Sequence, residues 1–323
     1  MRPGWGCNLG VRCAVLRRVP SSQERPPRPA GWVHHPGTAV LRPLDYVVQV
    51  GAPTGESPAM LHFVYTDDGL YVPAVIRTPP GPGPFPAVLS VHGGSGGLGV
   101  AYLVDHVLER GWLFDRLLAE DYVVCCSEGR MEHEDAYGTE LPTLLDHHDV
   151  VRVFRYLQGL PFVDPARVAI FGVSHGGEIQ LKATSEMGGG PAALVPGEPA
   201  VIEYLGLRYT GPRRESNLQF RGALADEQID LARAQQRIDR LPPDLPILIL
   251  GRDGDHLQGL FRKLYELLER AGRRVEWASW DHPEHAYQWG PRRGPHGYQP
   301  DPIQQATLER VVAFLNQHQQ GGG

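Results

Sequence analysis

Val168-Ala169-Ile170-Phe171-Gly172-Val173-Ser174-His175-Gly176-Gly177-Glu178-Ile179-Gln180-Leu181-Lys182-Ala183 is the stretch from which the rest of the chain is read. Its first four residues are apolar, which predicts a buried strand. The six residues from Glu178 predict a helix. Between them Gly172-Val173-Ser174-His175-Gly176 fits G-x-S-x-G, and a strand before with a helix after is the context that pattern needs. A serine on so sharp a turn sits in strained backbone, and glycines two before and two after let other chain segments pass close. The helix that follows points its free N–H groups and positive dipole end at any oxyanion formed there. Ser174 is the candidate nucleophile and the N–H of His175 a candidate oxyanion donor. An ordinary Gly-rich strand-to-helix turn is the alternative.

Upstream, Pro86-Ala87-Val88-Leu89-Ser90-Val91 predicts another buried strand, and it ends in His92-Gly93-Gly94-Ser95-Gly96-Gly97. Small residues there allow backbone N–H groups to approach a carbonyl oxygen, so Gly94 or Ser95 is the expected second oxyanion donor. Each such donor is worth about 3 kcal/mol in the transition state. A phosphate-cradling loop is the rival. It would need G-x-x-x-x-G-K-[ST], and no lysine is near. Gly94-Ser95-Gly96-Gly97-Leu98-Gly99 has G-x-G-x-x-G spacing, which alone is a weak signal, and a dinucleotide site is not expected.

A serine at its ordinary pKa is a poor nucleophile and needs a histidine base oriented by a carboxylate. After a strand-to-helix serine the chain order is carboxylate, then histidine. Downstream, Ile247-Leu248-Ile249-Leu250 predicts a strand, followed by Gly251-Arg252-Asp253-Gly254-Asp255-His256. Asp255 is the favoured acid. Asp253 is the alternative, and whichever of the two is not the acid shapes the turn. One helix and one strand later comes Trp280-Asp281-His282-Pro283-Glu284-His285. His285 is the expected base on the loop after the last strand, with His282 as alternative. Glu132-His133-Glu134-Asp135 and His147-His148 raise the question of metal. Adjacent histidines on a helix point their rings apart, so no metal is expected.

The surrounding pattern is regular from about residue 45. Leu61 to Tyr65 and Tyr71 to Ile76 flank Asp67-Asp68-Gly69, a hairpin signal. Tyr122 to Cys126 predicts a strand, Val275 to Trp280 a weaker one, and Ala193-Leu194-Val195 a sixth in the sheet. Apolar residues at helical spacing run from Leu141 to Leu157, from Leu260 to Leu268 and from Val311 to Leu315. Alternating strands and helices predict an α/β fold with a mostly parallel central sheet and helices on both faces. The stretch 187–244, with its polar helical run Ala225 to Arg240, is either a lid or cap insert or a plain helical connector.

Composition sets the outer bounds. The 323 residues are 41% hydrophobic and 21% charged, as in ordinary globular proteins. A net charge of −6 gives nothing in favour of a nucleic-acid polyanion, and no nucleic-acid partner is expected. Residues 1–44 differ: seven Arg, seven Pro and one Glu give +6 there, leaving −12 for the rest. Such a segment reads as a disordered extension or an early start codon, with an Arg-rich targeting peptide as the sharper alternative. No apolar stretch approaches the ~20 residues of a membrane span, and arginines interrupt any signal-like run, so a cytoplasmic location is expected. The neighbours Cys125 and Cys126 point to opposite faces of a strand and do not bridge each other.

Together, His92-Gly93-Gly94-Ser95-Gly96-Gly97, Gly172-Val173-Ser174-His175-Gly176-Gly177, the Asp255 turn and His285-Ala286-Tyr287 resemble the α/β-hydrolase superfamily. Within it they are most similar to the dienelactone hydrolase and prolyl oligopeptidase catalytic-domain group. Leu160-Pro161-Phe162-Val163-Asp164-Pro165-Ala166-Arg167-Val168 also resembles the approach to that group's nucleophile strand. The resemblance covers roughly residues 60–318. It departs in having serine where dienelactone hydrolases proper have cysteine, and residues 1–60 are too short for the oligopeptidases' propeller. The acid turn also differs, being Gly-Arg-Asp-Gly-Asp rather than His-Gly-x-x-Asp. The resemblance implies an α/β-hydrolase domain over 45–320. It further implies a serine hydrolase that acts through an acyl-enzyme on a small carboxylic ester, with no cofactor. A peptidase or amidase taking short peptides, and a non-catalytic binding protein, are the other readings. The sequence sets no oligomeric state.

Overall fold

The computed structural model describes residues 48–50, 57–67, 71–94, 99–108, 112–129, 141–207, 220–290 and 299–319. Expectations for residues 1–44, Ser95 to Gly97 and Glu132 to Asp135 lie outside them.

Among the described residues nine strands form one sheet. They are β1 (Val48–Val50), β2 (Ala59–Tyr65), β3 (Tyr71–Arg77), β4 (Phe85–Val91), β5 (Val123–Ser127), β6 (Val163–Val173), β7 (Leu194–Gly197), β8 (Ile247–Arg252) and β9 (Val275–Trp280). Their spatial order is β1-β2-β3-β5-β4-β6-β7-β8-β9. The expected hairpin is β2-β3, antiparallel with Leu61 opposite Val75. β3 pairs antiparallel with β5, and from β5 to β9 every pairing is parallel. The sheet is thus mixed and mostly parallel, as expected. β6 starts five residues earlier than its apolar run, because Val163 already pairs with Phe85; Asp164-Pro165-Ala166-Arg167 then bulges before Val168 pairs with Ala87.

The helices are α1 (Gly99–Leu108), α2 (Trp112–Ala119), α3 (Leu141–Gln158), α4 (His175–Glu186), α5 (Leu231–Asp239), α6 (Gln258–Arg270) and α7 (Pro302–Gln319). They pack on both faces, since strand side chains alternate between two cores. Leu89, Cys125, Ile170 and Ile249 join α3, α4, α5 and α6 on one face. Val88, Cys126, Phe171 and Leu250 join α1, α2 and α7 on the other. The two cysteines are therefore buried and unbridged, on opposite faces. β9 is half-buried at every position, as befits the edge strand that reads weakest in the sequence.

Within 187–244 the sheet gains β7, and the run from Ala225 to Arg240 breaks into two pieces. A single 3-10 turn, Asp226–Gln228, precedes α5. The break falls where the Asp230 carboxylate accepts the Arg233 N–H at 3.0 Å, an N-cap that starts a new helix. α5 buries Ala234 and Ile238. No helix among the described residues is long and apolar enough to cross a membrane.

Candidate active site

β6 ends at Val173, α4 begins at His175, and Ser174 makes the turn with φ 54° and ψ −118°. Such a conformation costs a non-glycine residue about 1–3 kcal/mol and must be held from outside. Here the Ser174 N–H donates to the Gly197 carbonyl at 2.8 Å, and its own carbonyl accepts from Ala200 N at 2.9 Å. A Cβ on Gly176 would stand 2.2 Å from the Val91 carbonyl oxygen, so only glycine lets the first turn of α4 rest on the end of β4. One on Gly93 would stand 2.6 Å from the Val173 carbonyl oxygen and 2.9 Å from Ser174 Cβ. The loop after β4 therefore lies directly against the serine. Gly94 continues it with φ +95°. As the first residue of α4, His175 has an N–H with no helical carbonyl to bond. Ser95, the other expected donor, falls outside the described residues.

Two loops bring the base to the serine. His285 Nε2 lies 3.0 Å from Ser174 Oγ. His285 Nδ1 lies 2.9 Å from Asp255 Oδ2 and 2.6 Å from Glu198 Oε2. Both carboxylates are fully buried. Asp255 sits in the turn after β8, where the Leu257 N–H donates to its Oδ1 at 2.7 Å. Glu198 follows β7, has φ 40°, and its N–H donates to the Leu250 carbonyl at 2.7 Å. Its Oε2 also accepts the Ala286 N–H at 2.9 Å, which pins the histidine loop. Arg252 completes the group, with Nη2 at 2.7 Å from Asp255 Oδ2 and Nε at 3.9 Å from Glu198 Oε2.

The electrostatics follow from this crowding. Burial lowers the pKa of His285, but its hydrogen bonds to Asp255 and Glu198 and their charges outweigh that, and the pKa rises to about 10. Burial pushes the Asp255 carboxyl up. Hydrogen bonds from His256 and His285, with the charge of His285, outweigh it and hold Asp255 well below the usual carboxylate range.

A second buried charge cluster lies along α4. His175 Nε2 is 2.8 Å from Asp146 Oδ2. Lys182 Nζ bridges Asp146 Oδ1 at 3.0 Å and Glu203 Oε2 at 3.1 Å. Burial lowers the pKa of His175, and the Asp146 hydrogen bond and charge more than restore it. The ring of His175 is thus tied to α3, leaving its backbone N–H as the part that neighbours Ser174.

The remaining sequence candidates have other partners. Asp253 Oδ1 accepts the Ser279 hydroxyl at 2.7 Å. His282 Nε2 pairs with Asp301 Oδ2 at 2.8 Å, and its carbonyl accepts from Arg252 Nη1 at 2.8 Å. Glu198 and Arg252 are the residues that sequence reasoning missed. The signal for Glu198 was a carboxylate just past the strand beside the nucleophile strand, the end of a parallel sheet where sites form.

No family model matches the chain, and no curated protein matches its sequence. Solved structures do. A thermostable carboxylesterase cloned from a metagenomic library is similar at 20% identity and a TM-score of 0.56, over 84% of this chain and 92% of that one. A hyperthermophilic esterase from the archaeon Pyrobaculum calidifontis is similar at 19% and 0.56, over 80% of this chain and 85% of that one. Dipeptidyl peptidase 4 of Porphyromonas gingivalis is similar at 19% and 0.55, over 82% of this chain, but the chain spans only 36% of that peptidase. At such identities the likeness establishes the fold: this chain has the α/β-hydrolase fold.

Proposed function

We propose that this chain is a serine hydrolase that cleaves small carboxylic esters through an acyl-enzyme on Ser174. The observation that carries the reading is the continuous hydrogen-bonded path from Ser174 Oγ through His285 to two buried carboxylates, starting on a strained turn. His285 Nε2 takes the hydroxyl proton as Oγ bonds to the carbonyl carbon. The resulting oxyanion is held by the His175 N–H and an N–H of the Gly93–Gly94 loop. The imidazolium then protonates the leaving alkoxide, and water repeats the sequence to release the acid.

Asp255 and Glu198 divide the orienting role. Asp255 already shares its charge with Arg252 at 2.7 Å, whereas Glu198 is farther from that guanidinium at 3.9 Å. The imidazolium formed in the reaction therefore draws on both carboxylates.

An ester substrate is favoured because the chain spans most of the length of the esterases it is similar to. Likeness to a dipeptidyl peptidase supports peptide-bond cleavage as the second reading. Rates on p-nitrophenyl acetate and on an aminoacyl-p-nitroanilide separate them. The ester reading expects turnover of the first that is lost in Ser174→Ala; turnover of the anilide alone overturns it.

A further inference from the structure

α3 and α4 pack side by side, and three donor side chains converge near the C-terminal end of α4. His147 Nε2 lies 2.9 Å from Glu186 Oε2. His148 Nε2 lies 3.6 Å from the same oxygen. The two rings meet edge to face with centroids 4.4 Å apart. One donor atom from each residue falls within 4.8 Å of the other two. Adjacent positions on a helix start about 100° apart, which argues against a shared ligand. Here both imidazoles turn toward the one carboxylate on the neighbouring helix.

We propose that His147, His148 and Glu186 form a three-donor site for a divalent transition-metal ion of the zinc type, distinct from the Ser174 site. Two imidazoles and a carboxylate are a zinc donor set, and bonds of about 2.1 Å in a tetrahedron place donors about 3.4 Å apart. The two histidine-to-carboxylate separations, 2.9 and 3.6 Å, bracket that spacing. His147 is buried, while the His148 and Glu186 side chains are 51% and 45% exposed, so an ion has a path in and water can fill the fourth position. Behind His147, Nδ1 stands 3.4 Å from Asp146 Oδ1. That contact lacks hydrogen-bond geometry, and Asp146 Oδ1 instead accepts the His147 backbone N–H at 2.6 Å, which holds the helix turn that carries the ring. Because Asp146 also holds His175, the metal site and the turn at Ser174 share one buried carboxylate. The inference stands independently of the hydrolase reading.

The test is calorimetric titration of the chelator-stripped full chain with Zn²⁺ alone. It compares wild type, His148→Ala/Glu186→Gln and His256→Ala. The double variant changes two half-exposed side chains, and an unchanged circular dichroism melt confirms its fold. The His256 variant addresses the other convergence of metal-type donors among the described residues, Asp255, His256 and His285. The expected result is one zinc per chain in wild type and in His256→Ala, with affinity weakened at least about tenfold in the double variant. Absence of binding in wild type, equal affinity in the double variant, or loss in His256→Ala alone each overturns the proposal.

Discussion

At the residue scale the feature most open to test is the double carboxylate on His285. In a serine hydrolase with one acid, amidating it costs about 10⁴-fold in kcat. Here Asp255→Asn leaves Glu198 2.6 Å from His285 Nδ1, so we expect a loss of about 10²-fold, with Asp255→Asn/Glu198→Gln restoring the full deficit. Steady-state kinetics on a p-nitrophenyl ester decide this; a 10⁴-fold loss in Asp255→Asn with Glu198→Gln silent would remove Glu198 from the account. The pH profile gives an independent reading. The base must be neutral to act, and the two carboxylates hold the proton on His285 with a pKa of about 10. The acid limb of kcat/KM therefore lies above the ordinary histidine range, near 6.5. Glu198→Gln keeps an acceptor for the Ala286 N–H but removes one charge, so it moves that limb to lower pH. A limb that does not move contradicts the assignment.

At the scale of elements, the turn between β6 and α4 depends on glycine where α4 meets the end of β4. Gly176→Ala puts a methyl 2.2 Å from the Val91 carbonyl oxygen and 2.5 Å from that of His92, both backbone atoms. We expect destabilisation of at least about 2 kcal/mol by urea unfolding, together with loss of esterase turnover. Wild-type stability in this variant would mean that the packing is looser than described. These contacts also show why some elements are readable from sequence and others are not. β4, β5, β8 and residues 168–173 of β6 are buried on both faces, so they appear as mostly apolar runs. Ser174 and Asp255 could be nominated because each follows such a strand, and His285 because it follows the weaker edge strand β9 in the expected chain order. Glu198 also lies just past a strand, but β7 is only Leu194-Val195-Pro196-Gly197, and nothing local says that the next side chain turns toward a histidine 87 residues on. Arg252 is likewise defined by a tertiary partner. The convergence of His147 and His148 depends on the end of another helix, which helical periodicity does not encode.

At the scale of the whole molecule, buried charge sets how stability varies with pH. His285 and His175 both have pKa values raised by folding. Between pH 6.5 and about 10 the folded chain holds protons that the unfolded chain has released, so stability falls as pH rises through that window. Burial of Cys125 and Cys126 raises their thiol pKa values and acts in the same direction above the ordinary cysteine range. His62 acts oppositely. Burial lowers its pKa to about 4, so the unfolded chain binds its proton first and stability falls as pH drops from 6.5 toward 4. Urea midpoints across this range should therefore peak near neutrality and decline toward pH 10; a midpoint still climbing at pH 9 would contradict the assigned shifts. The claim on which the catalytic account rests is that one serine of the intact chain is an activated nucleophile. Intact-mass spectrometry after exposure to a fluorophosphonate tests it most directly. The account predicts a single adduct per chain, located on Ser174 and absent from Ser174→Ala. A folded chain that takes no adduct, or takes it on another residue, would contradict it.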